Sequence, residues 1–253
     1  MDRNSPHPIA WRGARWQTQT VVITLLPSVS RFMKYPVLFM SIAGSMLFAA
    51  WVHGGWAHLL LWPALSFAIV GLGYFRLGPR IYGKSSSGLL SPLHQLVLLP
   101  YLVTLWSMWY AARLIFRQPA YHQLTDNIFI GRRLLPHELP EDIDHVIDLT
   151  CEFNEPKPLR SASYHSFQIL DRFVTSPDQL QDWARQVAGL NGNIYIHCAE
   201  GQGRTGMFAT VLLLHLGYYE DVDDALRFIQ SKRPLVRLAK RQLALLRATQ
   251  NAV

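Results

Sequence analysis

Residues 35–75 contain no Asp, Glu, Lys or Arg. His53, Gly54 and Gly55 divide this stretch into two apolar runs, 35–52 and 56–75. At about 1.5 Å rise per residue, each run can cross a hydrocarbon core of about 30 Å. Tyr35, Trp51, Trp56 and Tyr74 stand near the run ends, where interfacial aromatic side chains belong. A helical hairpin through a bilayer is expected, kinked at Pro63, since helices in membranes tolerate proline.

The charge distribution agrees. The net charge of +7 comes wholly from residues 1–118, which hold ten Lys/Arg against one Asp/Glu; residues 119–253 hold fourteen against sixteen. Basic residues flanking long apolar runs are a membrane pattern more than a nucleic-acid one. The tail 1–34, with Trp11 and Trp16 among Arg3, Arg12, Arg15, Arg31 and Lys34, is a poor signal peptide. It reads as a cytoplasmic segment lying on anionic lipid or as a disordered one. Arg76, Arg80 and Lys84 with 85–88 (Ser-Ser-Ser-Gly) read as a basic, flexible loop, so both flanks of the hairpin are basic and face the cytoplasm.

A third apolar stretch, 96–112, divides two readings. If it spans, everything after it lies outside the cytoplasm. Yet Arg113, Arg117, Arg132 and Arg133 follow, Pro100 interrupts the run, and Trp106, Trp109 and Tyr110 crowd its end. An interfacial or re-entrant helix, the favoured reading, keeps the second half inside.

After Pro119 the texture is that of an α/β domain. Short strands are expected at 127–131, 145–149, 164–169 and 193–197. Helices are expected from Ser176 and Pro177 (cap and first position), over 204–216, over 221–232 and over about 238–249. The organisation is thus a tail (1–34), a membrane region (35–118; helices about 35–52, 56–75 and 93–116) and an α/β domain (119–253). No Cys/His spacing suggests zinc and no acidic loop suggests calcium. Two cysteines make no disulfide framework.

The chemistry concentrates at 197–206, His-Cys-Ala-Glu-Gly-Gln-Gly-Arg-Thr-Gly, where a strand meets a helix. A short loop with inward-turned N–H groups supplies donors to a phosphate, and the following helix adds its positive end. Arg204 adds a planar fork for two phosphate oxygens. Gly201 and Gly203 suit unusual dihedrals and close approach. The same field favours the Cys198 thiolate, the attacking form. A Walker loop is excluded because the lysine before Thr205 is missing.

His197, Cys198, Gly201, Gly203 and Arg204, followed by Thr205 and Gly206, match the signature loop of the cysteine-dependent protein tyrosine phosphatase superfamily. The resemblance covers roughly 120–250 and is closest to the compact dual-specificity branch. It implies a central, mostly parallel sheet flanked by helices, preceded here by the hairpin and the third apolar helix. It implies hydrolysis of a phosphate monoester through a phosphocysteine, without metal or cofactor. Residues 199–204 (Ala199, Glu200, Gly201, Gln202, Gly203, Arg204) would bind the phosphate. Asp171, 27 positions before Cys198, stands where relatives place the general acid, although the Trp-Pro-Asp of the tyrosine-specific branch is absent. Thr205 would stabilise the thiolate, His197 would brace the loop by hydrogen bonds, and Gln202 would line the loop or orient a water. Cys151 stands where some relatives keep a second cysteine that pairs with the nucleophile; a simple buried thiol is the alternative.

Three functions remain open at this stage. A membrane-tethered lipid phosphatase is favoured by the hairpin and by a likeness to phosphatidylglycerophosphate phosphatases of the dual-specificity type. A phosphoprotein phosphatase is the second, and a phosphate-binding membrane protein without turnover the third. Glu200 in the loop argues against heavily phosphorylated ligands. Membrane lipids are the expected surroundings, and nucleic acid is not an expected partner.

Overall fold

The computed structural model describes residues 34–250; the expectations for the basic tail, Lys34 apart, lie outside them. The apolar first half opens with α1 (Lys34–His53). A 3-10 turn (Gly55–Leu60) leads into α2 (Leu61–Leu72), which continues through a π turn (Gly73–Leu77) and a second 3-10 turn (Gly78–Tyr82). Pro63 falls in the first turn of α2, just after the change from 3-10 to α geometry at Leu61. Helix α3 follows at Pro92–Ile115.

Burial in the hairpin is inside-out. Ala43 and Ala50 of α1 and Ala57, Ala64 and Gly71 of the second arm are buried, whereas Phe48, Trp51, Trp56, Leu59 and Leu65 are exposed. Small residues let the helices approach closely while bulky apolar ones face outward. A Cβ on Gly71 would press Met40 at 3.1 Å. By length and composition α1, the segment Gly55–Tyr82 and α3 can each cross a membrane.

The second half is a five-stranded sheet: β1 (Tyr121–Gln123), β2 (Ile128–Arg132), β3 (His145–Asp148), β4 (Ser163–Ser166) and β5 (Ile194–Cys198), in the order β1-β2-β5-β3-β4. Only β1 is antiparallel; β2, β5, β3 and β4 run parallel. Four of the strands lie at the places the sequence indicates, and β1 and the short helix α4 (Lys157–Ser161) are additions. Helices α5 (Pro177–Ala188), α6 (Gly203–His215), α7 (Val222–Lys232) and α8 (Lys240–Gln250) complete the domain. Ser176 caps α5 by accepting from Gln179 N, and Asp221 caps α7 by accepting from Asp223 N and Asp224 N. Helix α6 is buried along most of its length, with Met207, Phe208 and Leu212 packed against Ile130, Ile147 and Ile196 of the sheet.

A second apolar cluster joins the two halves. Val70, Ile81, Leu98, Tyr101 and Leu102 of the apolar half pack with Cys151 and Leu170 of the α/β domain. The segment after Tyr82 is correspondingly ordered, not flexible. Lys84 pairs with Leu90 as a β-bridge, Gln168 Nε2 donates to the Lys84 carbonyl, and Glu155 N donates to Gly88 O. The Lys84 side chain is buried in the α/β domain, which removes it from the basic face expected of this loop.

Candidate active site

Strand β5, buried throughout, delivers Cys198 to its C-terminal end at the centre of the sheet, where parallel sheets present ligand sites. The loop carbonyls that follow are turned outward and held. Ala199 O accepts from Trp109 Nε1 at 2.9 Å and from Arg133 N at 3.2 Å. Glu200 O and Gly201 O accept from the buried Arg233 guanidinium at 3.2 and 2.8 Å. Across a trans peptide the N–H opposes the C=O, so this outward fastening turns the N–H groups inward as a cradle. Gly201 has φ 66°, and a Cβ there would run into the Gly131 carbonyl. Gly203 is different: it opens α6 with no positive φ, and its constraint is the Gln242 side chain, 3.0 Å from where a Cβ would stand.

Arg204, on the first turn of α6, is buried and held by a carboxylate that sequence reasoning overlooked. Its Nη1 and Nη2 reach Glu152 Oε2 and Oε1 at 3.0 and 2.7 Å, and Nη1 also donates to Ile169 O at 2.9 Å. Burial disfavours the Arg204 charge, but Glu152, Asp171 and Cys198 around it hold the guanidinium firmly protonated. Its Nε is buried with no hydrogen-bond partner among the described residues, a donor suited to a phosphate oxygen.

Asp171 lies across from this fork, Oδ1 at 3.6 Å from Arg204 Nη2, with its side chain more than half exposed. Beside it Arg172 takes φ 53°, a left-handed conformation uncommon for a non-glycine residue, and donates to the hydroxyl of Tyr35 at 3.2 Å. Leu170 and Phe173, flanking the pair, sit in the cluster shared with α1, α2 and α3.

Residues 142–223, from the start of β3 into α7, match the family model described as the tyrosine phosphatase family. That segment, about a third of the chain, is similar to the tyrosine phosphatase family and contains the Cys198 loop. No curated protein matches it significantly in sequence. Among solved structures, Tk-PTP in its active form is 22% identical, covering 53% of this chain and 99% of its own, with a TM-score of 0.48. PTPMT1 in complex with PI(5)P is 17% identical over 53% of this chain and 96% of its own (TM-score 0.45). A mouse putative dual specificity phosphatase complexed with zinc tungstate is 14% identical over 53% and 89% (TM-score 0.46).

Beneath the Cys198 loop lies a buried polar cluster. Asp148, at the end of β3, accepts from Lys84 Nζ at 2.5 Å, from Tyr164 Oη at 2.6 Å and from Thr150 N at 2.7 Å. Burial alone would raise the Asp148 pKa; Lys84 and then His197 overcome it and hold the carboxyl well below its usual range. His197 stacks on Tyr195, its ring nitrogens facing Asp148 Oδ1 at 4.0 Å and Glu155 Oε1 at 3.7 Å. These distances exceed ordinary hydrogen bonds, so His197 meets its two carboxyl neighbours by packing rather than by the hydrogen bonds expected from sequence. Burial lowers its pKa to about 4. Burial, then Asp148, pushes Glu155 up to about 8 against the pull of Arg133. The ligand atoms of Asp148, Glu155 and His197 come within 4.8 Å of one another, a spacing that could hold a metal. The Lys84 ammonium already supplies the cation at Asp148, and Arg133 Nε lies 3.1 Å from Glu155 Oε2.

Cys151 and Cys198 are both free and buried. The Cys151 thiol donates to Glu152 Oε2 at 3.3 Å, and burial followed by the Glu152 charge raises its pKa well above the usual value. Thr205 Oγ1 is buried with no partner among the described residues, and Gln202 is the residue before α6.

Proposed function

We propose that the protein is a membrane-tethered phosphomonoesterase that works through a phosphocysteine on Cys198 and acts on a lipid phosphate headgroup. The observation that carries this reading is the seating of the Asp171 segment: Leu170 and Phe173 pack on the membrane helices and Arg172 bonds Tyr35 at the foot of α1. The mouth of the site thus opens where the hairpin would leave a bilayer.

In the proposed reaction the Cys198 thiolate attacks phosphorus, and the P–O bond to the leaving group breaks. Asp171 gives its proton to the departing oxygen. Arg204 and the loop N–H groups neutralise the equatorial oxygens in the transition state. The Asp171 carboxylate then takes a proton from water as that water attacks the phosphocysteine, releasing inorganic phosphate and the thiolate. The Thr205 hydroxyl, otherwise unpartnered, donates to that thiolate.

The same reading lays α3 along the interface. Trp106 Nε1 donates to Glu152 O at 3.1 Å, and Arg113 forks onto Glu138 at 2.7 Å. These bonds and that of Trp109 fasten α3 along the phosphatase domain, while Leu93, Leu96, Val103, Met108 and Leu114 remain exposed. An apolar face opposite a docked one favours a helix lying in the headgroup boundary, with the catalytic half cytoplasmic.

The test is phosphate release by the full-length protein in detergent from a panel of lipid phosphates and phosphopeptides. Lipid phosphates should be turned over faster, and Cys198→Ser should abolish turnover of both. Preference for phosphopeptides would establish the phosphoprotein reading instead. Turnover retained by Cys198→Ser would exclude the thiolate mechanism.

A further inference from the structure

Away from the Cys198 loop, the end of the second apolar arm and the first turns of α3 border a half-open cavity of about 560 Å³. Its lining is divided chemically. Ile69, Leu77, Val97 and Leu98 form apolar walls, whereas Arg76, Arg80 and His94 bring positive or protonatable groups. No carboxylate lines it, and residues 34–118 contain no Asp or Glu at all. Neither arginine side chain appears in any ion pair or hydrogen bond found among the described residues.

Helix α3 adds to the field. Leu93 and His94 lie in its first turn, Ser91 makes no side-chain cap bond, and Pro92 has no N–H. The uncapped end therefore turns its partial positive charge toward the cavity that these residues line. The His94 ring is fixed there by close packing over Gly83, where φ is 56° and a Cβ would lie only 2.5 Å from the ring. A soluble anion would leave the apolar walls wet, and a neutral lipid would leave two arginines unanswered. An anionic phospholipid satisfies both parts, its phosphate at the arginines and its chains along the walls.

We infer that this cavity is a binding site for an anionic phospholipid, separate from the catalytic centre. The inference rests on the membrane placement proposed above but not on the choice of substrate. The probe is phosphatidylglycerol, a phosphodiester that the phosphomonoesterase reaction does not consume. Full-length protein in detergent, with the phosphatase loop saturated by orthovanadate, is titrated with phosphatidylglycerol, phosphatidylcholine or inorganic phosphate. Binding is read by native mass spectrometry and by the thermal midpoint. Phosphatidylglycerol should bind saturably at one per chain, about tenfold or more tighter than phosphatidylcholine, and inorganic phosphate should not displace it. Arg76→Gln/Arg80→Gln should erase that preference while aryl phosphate hydrolysis persists. Equal binding of the two lipids by the wild type, a readout that needs no variant, overturns the inference; so does a preference that survives in the double variant. A wild type that shows the lipid preference but hydrolyses no aryl phosphate would count against the catalytic reading alone.

Discussion

The Lys84 ammonium lies 2.5 Å from Asp148 Oδ2, with both side chains fully buried, and ties the segment between two apolar helices to the strand beside the one that carries Cys198. A second bond to Thr150 O at 3.1 Å fixes its direction. Removing one partner of such a pair leaves an uncompensated charge, at a cost of about 3–5 kcal/mol. Lys84→Met should therefore lower stability by that order in denaturant unfolding of the detergent-solubilised protein. Lys84→Met/Asp148→Asn should recover a large part of the loss; a double variant no more stable than the single one would show that the pair is not coupled.

Glu152 orients the Arg204 fork by two hydrogen bonds and so acts through it. Glu152→Gln keeps the shape but releases one arm. Since an Arg–phosphate fork contributes mainly in the transition state, kcat should fall by about tenfold or more with KM nearly unchanged. A variant with unaltered kcat would leave Arg204 indifferent to its carboxylate.

Asp171→Asn removes the proposed proton donor without removing bulk. General acid catalysis contributes about 10²–10⁴-fold. The loss should be large for alkyl phosphates and small for nitrophenyl phosphate, whose leaving group departs unaided. Equal losses across a leaving-group series would assign the proton to another residue.

Stability should depend on pH through Glu155 and His197. Glu155 is raised from 4.5 to about 8, so between those values the unfolded chain has lost a proton that the folded one keeps, and stability falls as pH rises. His197 is lowered from 6.5 to about 4, so between those values the unfolded chain binds the extra proton and stability rises with pH. The two oppose one another below about 6.5 and Glu155 acts alone above it. The thermal midpoint should thus decline from pH 6.5 to 8, and Glu155→Gln should flatten that decline. An unchanged slope in the variant would place the titration elsewhere.

The cradle was legible because a loop of ten consecutive residues contains it, and the strands and caps because their signals are local. Its supports were not. Arg233 reaches the loop across 32 positions, Glu152 reaches Arg204 across 52, and Trp109 reaches Ala199 across 90. No periodicity or spacing encodes such meetings; they arise only when two elements pack. Lys84 misled for the same reason. A lysine among serines and glycine reads as a solvated loop until a buried carboxylate, 64 positions away, is seen to need it. The third apolar run was ambiguous because one face is apolar for the protein core and the other remains exposed, so its composition is nearly uniform around the helix.

The bond from Trp109 to Ala199 O has a consequence for how this molecule may be divided. A cut before Pro119 would remove one of the two donors that hold the Ala199 carbonyl outward, along with the cation that balances Asp148. The apolar half is therefore not a tether that could be exchanged for another address label. Transplanting the domain onto a different anchor would deliver the fold to a new location but leave its active loop partly unfastened.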